Sequence, residues 1–105
     1  MWEVIDAEVR AKLAAFAARP ELVVWSRSAE HDIADTAGIT RFGVLAAILE
    51  HLECGYVVHA DYMKNGDLAY IIPCLADPRW LYVKVKFIFQ ERDERMKVFS
   101  AHPEI

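Results

Sequence analysis

The chain has 105 residues, 55% of them hydrophobic and 27% charged, with a formal net charge of −4. That length fits one domain spanning residues 1–105, and the composition is that of a globular protein rather than a disordered tail. No apolar run approaches the roughly 18 residues of a membrane-spanning helix, and an acidic net charge argues against indiscriminate nucleic-acid binding.

The opening MWEVIDAEVRAKL carries acids where a signal peptide carries bases, so a mature, cytoplasmic protein without membrane contact is expected. Residues 2–18 read as a helix, with Trp2, Ile5, Val9, Leu13 and Phe16 in one apolar stripe. Asp6–Arg10 and Glu8–Lys12 have the spacing of supporting ion pairs, and Pro20 stops the helix. Leu22 to Trp25 form a short extended piece. Ser28 is a candidate N-cap for a second helix with Ala29, Ile33 and Ala37 inward and Gly38 at its end. Thr40 can cap a third, carrying Phe42, Leu45, Ile48, Leu49 and Leu52 on one side and ended by Gly55.

From Tyr56 the apolar period changes from 3.6 to 2. Residues 56–62 and 67–74 read as strands joined by a two-residue turn at Asn65-Gly66. Pro73 puts the second strand at an edge or near its own end. After a turn at Asp77-Pro78-Arg79, the run from Trp80 to Gln90 is the clearest strand and the expected centre of the sheet. Glu91 to Glu94 turn the chain into a last strand, Arg95 to Ala101. The expected class is therefore α+β: about three N-terminal helices packed on one face of a four-stranded antiparallel sheet. Leu81, Val83, Val85 and Phe87 should meet the helices.

The other face of that central strand presents Tyr82, Lys84 and Lys86 about 7 Å apart. Two readings stand. It is an ordinary solvated face whose lysines guard against aggregation, or a platform for an anion, with lysine on phosphate and tyrosine on a base. His59 and Asp61 on the first of the four strands, Tyr70 on the second and His102 after the last are candidates to join it. Residues 1–63 hold five bases against ten acids and residues 64–105 seven against six, with Lys84, Lys86 and Lys97 among the bases crowding the last strands. RNA can be cut without a metal when its 2′-hydroxyl attacks the adjacent phosphorus, given a base, an acid and cations. His59 and His102 suit the proton roles, and Tyr82 and Lys84 the charge. His31 and His51 lie on helices as surface or capping groups. His51 and Cys54 share a helix face, but a structural zinc site needs four ligands, and no other pair accompanies them. Cys54 and Cys74 read as buried, reduced thiols.

The closing segment LYVKVKFIFQERDERMKVFSAHPEI resembles the end of MqsR-family toxins, a branch of the RelE-like type II toxin–antitoxin superfamily. In that family a strand written Tyr-apolar-Lys-apolar precedes a final strand ending Ser-Phe and a basic residue. Ser28-Ala29 opening a helix, the Gly-Ile-Thr junction and LECGYVV are similar to the start of the family pattern, so the resemblance covers about residues 25–103. It implies a RelE-like fold and a metal-independent endoribonuclease that cuts messenger RNA, needs no cofactor and is neutralised by a cognate antitoxin; self-association into a homodimer is an option. On this resemblance Tyr82, Lys84 and His102 match family positions, with Ala101 where the family has Phe. Tyr70 falls near a polar position of the middle strand. The family's lysine near the first strand has no counterpart: His59 is one position off and Lys64 lies later. The catalytic candidates are thus Tyr82, Lys84, His102 and His59; the RNA-binding candidates are Lys86, Tyr70, Lys64 and Lys97; none is a metal ligand. The other reading is a RelE-like module without catalysis, acting through protein–protein contact.

Overall fold

The computed structural model describes residues 3–103, with Glu3 and Val4 as backbone alone. The elements are β1 (Glu3–Val4), α1 (Ala7–Ala17), a 3-10 turn (Pro20–Leu22), β2 (Val23–Trp25), α2 (Arg27–Asp35), α3 (Arg41–Glu53), β3 (His59–Tyr62), β4 (Leu68–Ala76), β5 (Arg79–Gln90) and β6 (Asp93–Pro103). The class is α+β, helices first and hairpin-linked strands after. The sheet differs from the expected four antiparallel strands. Those strands, β3 to β6, form its middle, but the order is β1-β3-β4-β5-β6-β2, with β2 parallel to β6 and every other pair antiparallel. The two marginal strands are two and three residues long, too short to show a period of their own.

Helix α1 starts at Ala7, not at residue 2, because the Asp6 carboxylate accepts the Val9 N–H at 2.9 Å and caps it. The apolar stripe overran that start: Ile5 packs on the core from outside the helix, and Trp2 lies outside the described residues. Neither expected i,i+4 pair forms, since Arg10 donates to the carbonyl of Leu52 at 2.9 Å and Lys12 reaches Glu94 at 2.7 Å. Helix α2 is capped by Ser26 rather than Ser28. The Ser26 hydroxyl accepts from Ala29 N–H and donates to the Phe99 carbonyl, 3.0 and 2.9 Å, so the cap also ties the helix to β6. Ala37 falls beyond the helix and is exposed. Helix α3 begins as expected, with Thr40 accepting from Gly43 N–H. Leu45, Ile48 and Leu52 are buried and Leu49 packs beside them, but Phe42, on the first turn, is 72% exposed.

Strand β3 begins at His59, three residues later than expected. Continuing the register of β3 on β4 would set Val57 opposite Pro73, which has no N–H to give. The Val57 carbonyl turns instead to His51, which donates Nε2–H to it at 2.8 Å. His51 is therefore not a surface group: it is 6% exposed. The Asn65-Gly66 turn holds a three-residue loop rather than two, closed by Met63 N–H donating to the Asp67 carbonyl at 2.8 Å, with Gly66 at φ +90°. At the β5–β6 turn the two central residues, Glu91 and Arg92, both adopt positive φ, 52° and 75°.

Leu81, Val83 and Val85 of β5 are fully buried and share a cluster with Leu13, Ala29, Val44, Ile48, Ile72, Met96, Val98 and Ala101. All three helices and one face of the sheet meet there. Phe87 closes one end, edge-on to Phe16 at 5.2 Å and to Tyr70 at 5.9 Å. Alternation along β6 slips once: Val85 faces Val98 while Lys84 faces Ser100, leaving Phe99 as a bulge. The slip brings Ala101 back to the inner face. Asp32 of α2 fastens it, accepting Ala101 N–H at 3.0 Å.

Candidate functional site

The opposite face of the sheet carries no helix. Alternation on β5 sends Tyr82, Lys84 and Lys86 to it, and pairing adds partners from β6. Tyr82 stands opposite His102, and the two rings stack with centroids 6.0 Å apart and planes within 10°. His102 Nδ1 lies 3.3 Å from the Pro103 carbonyl. That contact suits the tautomer with its proton on Nδ1, in which Nε2 is the acceptor. Lys84 sits one step along, between Ser100 on β6 and Ile71 on β4. One imidazole, one phenol and one ammonium thus share a patch of about one nucleotide's length.

Lys86 and Lys97 stand directly opposite each other, an arrangement that costs energy on a sheet. Two features offset it. The Phe99 ring lies under both ammonium groups, 5.2 Å from Lys86 and 5.0 Å from Lys97. Asp67 forms an ion pair with Lys86, and that pair holds the Asp67 carboxyl below the usual carboxylate range. Lys86 is therefore partly committed to the fold, and Lys97 is the freer cation of the two.

The remaining candidates are not gathered with this group. His59 is on the same face, opposite Ile71, which separates it from Lys84. Three strand spacings put it about 14 Å or more from His102, too far for both imidazoles to serve one phosphate. Tyr70 belongs to the inner face: it pairs with Val85, is 7% exposed and packs on Phe87. Burial pushes its phenol up from the ordinary value. An even-numbered position on β4 faces inward, which the alternation Tyr70, Ile72, Cys74 already showed. Lys64 is exposed in the β3–β4 loop, at the Lys86 end of the row and not beside Tyr82 and His102. Phe99 and Ser100 join the face unforeseen; their signal was the adjacent pair Val98-Phe99, where strict alternation breaks.

Of the two thiols, Cys74 is buried and its pKa is pushed up to about 12 by that burial, whereas Cys54 is exposed, against expectation. It is the C-cap of α3, past the last buried turn. Among the described residues no three His, Cys, Asp or Glu side chains are grouped to hold an ion, and no helix is long and apolar enough to cross a membrane. Comparison with protein-family models, curated proteins and solved structures gives no match to this chain.

Proposed function

We propose that the bare sheet face binds RNA and cuts it, and that the protein is a small endoribonuclease toxin of the RelE-like type, nearest the MqsR branch. The observation that carries this reading is the stacked Tyr82–His102 pair beside Lys84 on a face no helix covers. His102 Nε2 takes the proton of a 2′-hydroxyl, the freed oxygen attacks the adjacent phosphorus, and Lys84 balances the charge that grows on the phosphorane oxygens. The 5′-oxygen leaves with a proton supplied by the Tyr82 hydroxyl, whose ring stacks on His102. The products are a 2′,3′-cyclic phosphate and a free 5′-hydroxyl. Lys97, with Lys86, extends the positive track to a neighbouring phosphate.

The same face suits an acidic antitoxin tail, which would cover it by charge and could add a strand where β4 runs past the end of β3. A non-catalytic module is the second reading, favoured by the wide separation of His59 from His102 and by the use of Lys86 as a structural ion pair. Induced expression separates the two: the wild-type protein should arrest growth, and His102→Ala should abolish the arrest while His31→Ala retains it. Arrest that survives His102→Ala would leave only the binding module.

A further inference from the structure

At one end of the sheet, away from the Lys86–Lys97 row, the last turn of α3 meets the β4–β5 hairpin. A cavity of about 210 Å³ opens between them, lined by Glu50, His51, Cys54, Tyr56, Leu75 and Trp80. It is larger than the roughly 150 Å³ hollow that holds benzene and smaller than the roughly 300 Å³ of a drug-sized site, so it suits a head group of a few heavy atoms.

Its walls select by charge. Tyr56 and Trp80 are 58% and 51% exposed, so two large aromatic rings are left partly in water at the rim. Ring faces attract cations, and such attraction strengthens where water is excluded. Glu50 supplies the carboxylate of the lining. His51, buried and donating to the Val57 carbonyl, titrates below its ordinary value of 6.5 and is uncharged at neutral pH. An adjoining hollow shares Glu50 and Leu75 and adds a second carboxylate, Asp77. Among the described residues no lysine or arginine lines either hollow, and Arg10, the base on the neighbouring helix, donates to the carbonyls of His51 and Leu52.

We propose that this cavity binds an organic ammonium ion, the head group of a small molecule, which enters between Tyr56 and Trp80 with Glu50 as its counter-ion. An anion would meet two carboxylates and no cation. A neutral apolar group would gain nothing from the Glu50 carboxylate. The ammonium satisfies both walls at once, and none of the residues involved belongs to the Tyr82–Lys84–His102 patch.

Choline is the probe, and 3,3-dimethyl-1-butanol, which has its shape without the charge, is the control. Calorimetric titration of the full chain should give saturable choline binding with a Kd on the order of 1 mM or below, and the Trp80 indole resonance should shift along the same curve. The alcohol should bind at least about tenfold more weakly. Glu50→Gln should weaken choline about fivefold, and Trp80→Leu about tenfold, with unchanged circular dichroism and melting temperature. Glu50 is on the exposed surface of α3, so its variant stays folded even if Trp80→Leu does not. Equal binding of choline and the alcohol, no saturation by choline, or an unchanged Kd in Glu50→Gln would each overturn the proposal.

Discussion

The two faces of β5 are built from one strand and have opposite fates. Leu81, Val83 and Val85 are sealed against three helices, while Tyr82, Lys84 and Lys86 stand between them in sequence and look out over an uncovered surface. The inner face makes stability by removing apolar area from water. The outer face adds little of it and spends some: Lys86 opposes Lys97, and only Phe99 and Asp67 temper that repulsion. A surface that retains like charges in register, with an imidazole stacked on a phenol beside them, has its composition set by something other than folding. That is the physical content of the RNA-cutting proposal, and it separates cleanly into residues that should matter for activity and residues that should matter for stability.

The largest effect should come from the outer face and be catalytic alone. His102→Ala should lower the RNA-cleavage rate by about 10²–10⁴ and Lys84→Ala by about 10²–10³, both measured under single turnover. Neither should move the melting temperature by more than a degree or so, because an exposed or half-exposed side chain away from caps and cores rarely changes stability.

Next comes the inner face. Val85→Ala removes two methyl groups from a fully buried site and leaves a cavity, so unfolding in urea should show a loss of about 2–3 kcal/mol with cleavage by the remaining folded protein unchanged. If Val85→Ala and Lys84→Ala exchanged these phenotypes, the division of the strand into two roles would be wrong.

A smaller effect lies at the turn that joins β5 to β6. Glu91 and Arg92 both hold left-handed backbone, a conformation that costs ordinary residues roughly 1–2 kcal/mol and that Asn-Gly adopts readily. The double variant Glu91→Asn, Arg92→Gly should therefore raise stability by about 1 kcal/mol and leave cleavage intact, which urea titration can read.

The last effect is one of pH. Burial holds the His51 pKa below its ordinary value of 6.5, so the unfolded chain takes up a proton that the folded chain refuses. Stability should fall as pH drops below that value and should be flat above it. In His51→Gln, which can keep the bond to the Val57 carbonyl, that part of the acid sensitivity should disappear from a series of melting curves.

Much of this arrangement could be read from the chain, and the failures have physical causes. The β5 alternation was strong enough to place both faces, and Thr40 was placed correctly as a cap. Asp6 is obscured because the apolar residues Ile5 and Ala7 beside it mimic a continuing helix, and Ser26 because Ser28, two residues on, is an equal cap candidate. The turns were misjudged in both directions. Asn65-Gly66 carries the two-residue signal but closes a three-residue loop, and Glu91-Arg92 carries none but makes a two-residue turn, since long paired strands impose the geometry there. Within the candidate site, Tyr82, Lys84 and His102 were legible from spacing and resemblance. Tyr70 was assigned to the wrong face, and His59 to a group that two intervening strands keep it from joining. Phe99 is hidden by the bulge, where Ser26 and Asp32, distant in sequence, bond to β6 at Phe99 and Ala101.

The most direct test of the outer face is the chemistry of the cut ends. Purified protein is incubated with a mixed-sequence RNA in reducing buffer containing EDTA, and the fragments are analysed by mass. The account predicts cleavage with upstream fragments ending in a cyclic or 3′-phosphate and downstream fragments in a 5′-hydroxyl, lost in His102→Ala. Intact RNA with the folded wild-type protein, or fragments ending in a 3′-hydroxyl, would contradict it.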